Sequence, residues 1–240
     1  MHRHRRGRWL RGLLLFMAGT AAVMMAGLAV NAHFNPGAKQ QLPPAQLPAP
    51  PWDSTAPPSA TPTPAQGPVR VVQGTQLVNG VYLGFPHSTI GAVSAADELA
   101  TQVVSTLDPD RAAAVMRLVA DPSYADGPQQ AARGTVNDRK ALGLPASGPV
   151  PPGYSFDLVA EEYQLQTATP DTVTVLLLSD FISSTPAQGS TSGIGVFPVA
   201  LHWSTGDWKI LPGPGKDYAG LAAEPGSPQA ASLGWQDLES

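Results

Sequence analysis

The segment 69–240 predicts an α+β fold, with helices first and a run of long antiparallel strands after them. Three observations carry that expectation. Apolar residues recur at three- and four-residue intervals from Val93 through Val119, the period of a helix. From Phe156 onward they alternate, the period of a strand. The two patterns follow one another and do not interleave, as they would in a parallel α/β sheet.

Ahead of that segment lie three stretches of different character. Five of the 14 Lys and Arg crowd residues 1–11, which hold no acid and read as a basic cytoplasmic tail. Gly12 to Val30, "GLLLFMAGTAAVMMAGLAV", is uncharged and nothing in it is more polar than Thr20. As a helix it rises about 28 Å, close to the roughly 30 Å of a bilayer core, so 12–34 is expected to be an uncleaved transmembrane helix or signal-anchor. A cleaved signal peptide is the alternative, and the apolar run exceeds the usual 7–15 residues of such a segment. Gly19, Ala22, Ala26 and Gly27 give the span a face on which a second helix can approach, which leaves a homo-oligomer open. Residues 35–68 form a Pro-rich linker, with eleven prolines between Pro36 and Pro68. At about 3.1 Å per residue it would reach up to roughly 100 Å as an extended disordered spacer. Everything from Asn31 onward is then expected outside the cell membrane.

Within 69–240 each element has a local reason. Asn79-Gly80 between apolar residues marks a tight hairpin turn. Ser88 or Thr89 caps a helix whose inward residues are Val93, Ala96, Ala100, Val103 and Leu107. Asp108-Pro109 reads as the cap and first position of a second helix, closed by Asp121-Pro122. Gly127 to Gly143 is only weakly helical and stands as a third helix or an irregular arm. "YSFDLVAEEYQLQT" alternates, slips across Glu161-Glu162 and resumes, which predicts a bulged strand. "DTVTVLLLSDFISS" is apolar on both faces, as a central strand is. "GIGVFPVALHW" and "DWKIL" are two further strands joined by Ser204-Thr205-Gly206.

Composition removes several kinds of chemistry. Without cysteine there is no disulfide, no thiolate metal site and no lipidated cysteine. Beyond residue 11, nine Lys or Arg face 18 Asp or Glu, the wrong balance for a direct nucleic-acid partner. His2 and His4 belong to the basic flank, and His33, His87 and His202 share no ligand spacing, so neither a metal nor a cofactor is expected. His87 has no acid near it in sequence and reads as a capping or solvated histidine. An acid/base site would have to draw on Asp157, Glu161, Glu162, Asp180 and His202. Alternation turns His202 away from the face of Leu201 and Trp203, and Glu161-Glu162 reads as a solvated kink, so no enzyme is expected. The candidate interaction surface is aromatic: Trp203 and Trp208, which can instead pack across their hairpin, and Trp235 in the tail, which can instead fold back.

"GFPHSTIGAVSAA", "GLPASGPVPPG", "GVFPVALHWSTGDWKIL" and "AAEPGSPQAASLGW" resemble a family of actinobacterial single-pass membrane proteins. Helices before a curved antiparallel sheet are also similar to the NTF2-like fold. That fold serves the outer domains of VirB8-type and TcpC-type subunits of conjugative and type IV secretion channels. The resemblance implies an extracytoplasmic NTF2-like domain acting as an assembly subunit among other membrane-complex proteins. TcpC-like proteins often carry two such domains, and this chain has room for one. The alternatives are an extracytoplasmic module that binds a small ligand or senses the cell wall, and an NTF2-like enzyme.

Overall fold

Asn79 and Gly80 both take positive φ, 53° and 80°, which only a tight hairpin between short strands requires. They join β2 (Gln76–Val78) to β3 (Val81–Leu83). The computed structural model describes residues 67–239. The basic tail, the membrane span and all but the last two linker residues lie outside it. Among the described residues no helix is long and apolar enough to cross a membrane.

The expected helices follow. Ser88 caps α1 (Thr89–Val104), its hydroxyl accepting from the Gly91 amide. Asp108 caps α2 (Pro109–Val119), accepting from the amides of Asp110 and Arg111. The weakly helical stretch is a helix in full, α3 (Gly127–Ala141). The strands β4 (Ser155–Ala168), β5 (Thr172–Thr185), β6 (Gly189–Ser204) and β7 (Asp207–Ile210) form an antiparallel meander. The β4 register slips between Ala160 and Glu162, as the two glutamates foretold, and again between Leu165 and Thr167. The β6–β7 turn takes positive φ at Thr205 and Gly206.

The tail adds what the sequence pattern did not disclose. After the short helix α4 (Pro228–Leu233), β8 (Gln236–Glu239) enters the sheet between β4 and the opening strand β1 (Val69–Arg70). The sheet order is β1-β8-β4-β5-β6-β7, with β1 parallel to β8 and every other pair antiparallel. The domain is α+β, as expected.

Strand β5 is buried on both faces. Val173, Val175 and Leu177 lie beneath α1 in the main core, while Leu176 and Leu178 meet Val196, Tyr218, Ala230 and Trp235 on the other side. Each fully buried Leu or Val contributes about 2 kcal/mol, so this strand anchors both layers.

Helix α1 approaches its surroundings closely because its buried side is mostly alanine and glycine. The tightest point is at Gly91: a β-carbon there would stand 1.9 Å from the Pro86 carbonyl oxygen. That turn is itself fastened from 122 residues away. Asp207 Oδ1 accepts from the Phe85 and Trp208 amides, and Trp208 Nε1 donates to the Pro86 carbonyl at 2.9 Å.

Arg139, on α3, is fully buried. Its guanidinium donates to the carbonyls of Leu107 at 2.7 Å, Pro145 at 2.5 Å and Ser147 at 3.1 Å. It thereby joins α3, the α1–α2 corner and the loop before β4.

Two stability outcomes follow from these contacts. Gly91→Ala is expected to destabilise by about 2 kcal/mol in urea unfolding, although alanine favours a helix by about 1 kcal/mol over glycine. Arg139→Met is expected to lose about 3 kcal/mol, because three carbonyls lose a charged donor at once.

Candidate functional site

Helix α3 turns toward the core Gly127, Ala131, Gly134, Thr135, Asp138 and Arg139, a clean helical stripe of small and polar residues. Its termini are reinforced by Pro128 in the first turn and by Arg139 and Lys140 in the last. A stripe so poor in bulk does not fill the space between α3 and the sheet. A cavity of about 210 Å³ remains.

Its walls come from seven elements, α1, α2, α3, β4, β5, β6 and β7, and a crossing loop. Val103 and Val104 of α1, Met116 of α2, Phe156 of β4, Phe181 of β5 and Phe197 of β6 supply an apolar lining. On the far side β7 pairs only with Leu201–Ser204 of β6, so β6 runs on without a neighbour strand. The stretch from Leu211 to Ala219 passes across that edge and closes the cavity there. Pro212–Gly215 within it is a loop. Its prolines carry no amide proton to extend the ladder.

The polar groups in the cavity are few. Tyr124 donates its hydroxyl proton to Gln130 Oε1 at 3.0 Å, and Gln130 Nε2 donates to Asp126 Oδ2 at 2.7 Å. Thr135 donates to the Ala131 carbonyl. These groups satisfy one another. Asp138 stands apart: it is 9 % exposed, and its carboxylate has no hydrogen bond or ion pair among the described residues. Burial disfavours its charge and pushes its pKa up to about 7. An apolar cavity with one ionisable, unpartnered group is the form a small-molecule site takes.

The acid/base candidates do not converge. By register His202 lies opposite Thr172 on β5 and Glu162 opposite Leu178, six residues apart or roughly 20 Å along the strand. Glu161 is exposed, and Asp157 and Asp180 are half-buried.

Three readings of single residues need correction. Glu162 is no solvated kink: the bulge turns it inward, where Oε1 accepts from the Gly226 amide and Oε2 has no partner. Burial raises its pKa, the Gly226 amide works against that, and Asp237, opposite it on β8, raises it further. His202 does leave the face of Leu201, but it meets a carboxylate, with Nδ1 2.8 Å from Asp121 Oδ2. Burial alone would raise the pKa of Asp121; hydrogen bonds from Ser123 and His202 outweigh it and hold it below the ordinary range. His87 has an acid after all: the fold brings Asp171 to 3.0 Å, and the ring stacks on Trp203 at 4.2 Å.

The tryptophans divide. Trp208 is fully buried and meets Trp203 edge-on across the hairpin at 5.3 Å between ring centroids. Trp235 folds back, buried, with Nε1 donating to the Leu221 carbonyl at 2.8 Å. Both therefore serve the interior, and neither presents its ring as an interaction surface. Trp203 is half-buried under His87.

Among known proteins, the model of one family, described as a domain of unknown function (DUF8175), matches residues 21–232. No curated protein matches, and no solved structure does.

The raised pKa of Asp138 fixes a sign. The folded chain holds this proton more tightly than the unfolded chain between about pH 4 and pH 7. Asp138 therefore weakens the fold progressively as pH rises through that window. Asp97 and Glu162 are also raised and act in the same direction, so only a comparison isolates Asp138. The stability of the wild type relative to Asp138→Asn is expected to fall by up to about 4 kcal/mol from pH 4 to pH 8 in urea titrations.

Proposed function

This chain belongs to the DUF8175 family of domains of unknown function, and we propose that it is a membrane-tethered, extracytoplasmic module that binds a small ligand. The observation that carries this reading is the apolar cavity between α3 and the sheet, with the lone carboxylate of Asp138 in its wall. Helices laid over a bulged antiparallel sheet, with the cavity between the two layers, support an NTF2-like assignment for 69–240. The tether rests on the basic residues 1–11, the apolar run and the prolines after it. The family match begins at residue 21, inside the apolar run, so residues 21–30 of that run and the linker belong to the shared unit.

One further observation favours a role in assembly. Among the described residues no strand pairs with the outer edge of β6 from Gly189 to Gly195, where Ser190, Thr191 and Ser192 are exposed; beyond it the stretch from Leu211 to Ala219 covers the edge, the Leu211 amide donating to the Ala200 carbonyl. An open edge of that length can take a strand from another chain. A subunit of a conjugation or type IV-like secretion apparatus would use such an edge, and the cavity beside it would be regulatory.

The binding reading is tested by filling the cavity. Ala131 is buried in its wall, and Ala131→Leu adds three carbons where space exists. The variant is expected to keep or raise its melting midpoint, followed by tryptophan fluorescence of the full chain in mild detergent. Small aromatic compounds at millimolar concentration should raise the midpoint of the wild type and leave that of Ala131→Leu unmoved. Equal responses from both proteins would place the binding elsewhere.

A further inference from the structure

We propose that the cavity is selective for a monocationic amine with a small apolar body, its ammonium group meeting the carboxylate of Asp138. This rests on the binding reading above and names the chemistry of the ligand.

The argument begins with what the cavity lacks. A sugar or nucleotide needs several convergent donors and acceptors, and here Tyr124, Gln130 and Thr135 are already engaged with protein partners. An anion needs a cation in depth. Arg139, next to Asp138 on α3, does not line the cavity and spends its donors on the carbonyls of Leu107, Pro145 and Ser147, and Lys216 lines it only from the exposed crossing stretch.

The charged groups facing the cavity can be named element by element. α1, α2, β4, β5, β6 and β7 contribute none to its lining; α3 contributes Asp138. The crossing stretch contributes Lys216 and Asp217, adjacent and both exposed, which offset each other at the rim. The other titratable groups are the phenols of Tyr124 and Tyr218, with Lys216 Nζ lying 5.3 Å from the Tyr218 ring centroid. The interior thus holds one formal negative charge when Asp138 ionises and no positive charge to answer it.

An unpaired buried carboxylate is costly, and it is relieved in one of two ways: by a proton or by a cation. Without a cation beside it, burial favours the protonated form and pushes its pKa up to about 7. An ammonium group with its own apolar body replaces that proton and removes the cost. The rings of Phe156, Phe181 and Phe197 suit the same ligand twice over, by apolar contact and by attraction of their faces for a cation.

Size narrows the class. An engineered cavity of about 150 Å³ in another protein takes benzene, so about 210 Å³ admits an aromatic or branched aliphatic body with a short amine arm. A long-chain lipid amine or a polyamine exceeds that space. A polyamine would also bring further charges with no partner.

The experiment compares three probes of one shape on the full-length chain in mild detergent: 2-phenylethylamine, 2-phenylethanol and 3-phenylpropionate. Binding is read by the melting midpoint and by titration calorimetry at pH 8.0 and pH 5.5. The amine is expected to bind on the order of tenfold more tightly than the alcohol at pH 8.0, and to lose that advantage at pH 5.5, where Asp138 is protonated. Asp138→Asn should bind alcohol and amine alike at both pH values. The wild-type pH dependence stands as a test by itself should the variant fold poorly. Alcohol binding equal to amine binding at pH 8.0, or propionate binding tightest, would overturn the cation assignment while leaving a binding cavity in place. No response to any probe at either pH would overturn the binding reading itself.

Discussion

The interior of the helical layer depends on one cation. Arg139 is buried and forms no ion pair among the described residues, a position that costs several kcal/mol unless its donors find acceptors. It finds three backbone carbonyls, at the α1–α2 corner and on both sides of Ala146 in the loop before β4. A lysine could not serve, because the planar guanidinium fork reaches several carbonyls from one fixed position and an ammonium group does not. Fixing Arg139 also fixes the rotation of α3. Successive residues on a helix point about 100° apart, so when Arg139 is held in the loop, Asp138 is held against the cavity. The site therefore inherits its geometry from a contact that is not part of it.

Two helices of similar composition reach opposite ends. Both α1 and α3 bury glycine and alanine, but α1 intersperses them with Val93, Leu99 and Val103, which fill what the small residues leave. It lies tight, to the point that Gly91 touches the Pro86 carbonyl. On α3 the places between the small residues are taken by Thr135, Asp138 and Arg139, and the arginine turns its bulk into the loop. Nothing remains to fill the middle. The cavity is thus a consequence of which residues separate the alanines, and small residues alone do not make one.

That difference also decides what could be read from the sequence. The Asn79-Gly80 turn, the Ser88 and Asp108 caps, the Glu161-Glu162 bulge and the two-faced β5 are all local or periodic signals, and each stands where the pattern put it. The helical stripe of α3 has the right period but is written in Gly, Ala, Thr, Asp and Arg, so a scan for apolar residues passes over it. Asp138 was missed for the same reason; a scan for small residues at helical spacing would have found the stripe. His87 meeting Asp171, and His202 meeting Asp121, join positions more than 80 residues apart, and no local pattern encodes them. Strand β8 holds only four residues and two of them are acids, so it lacks the alternation that marks a strand. It forms because a neighbour is waiting on each side, β1 in parallel and β4 in antiparallel register.

If the chain is tethered as proposed, the closure by β8 sets where the tether pulls. Gly67, the first described residue, donates to Gln236 Oε1 at 3.0 Å, and the Tyr163 hydroxyl lies 3.2 Å from the Gly67 carbonyl. Both ends of the domain are thus secured at the β1–β8 edge of the sheet. The unpaired length of β6 lies at the other edge, four strand spacings away, or about 20 Å along the sheet, while the cavity spans from Phe156 at the start of β4 to that edge and has no lining residue from β1 or β8. Tension on the residues before Gly67 acts on a two-residue parallel pairing and on Tyr163, and both lie apart from α3 and Asp138. For a domain tethered as proposed, that arrangement leaves the free edge on the side away from the attachment, and a cavity whose lining includes no residue of β1 or β8.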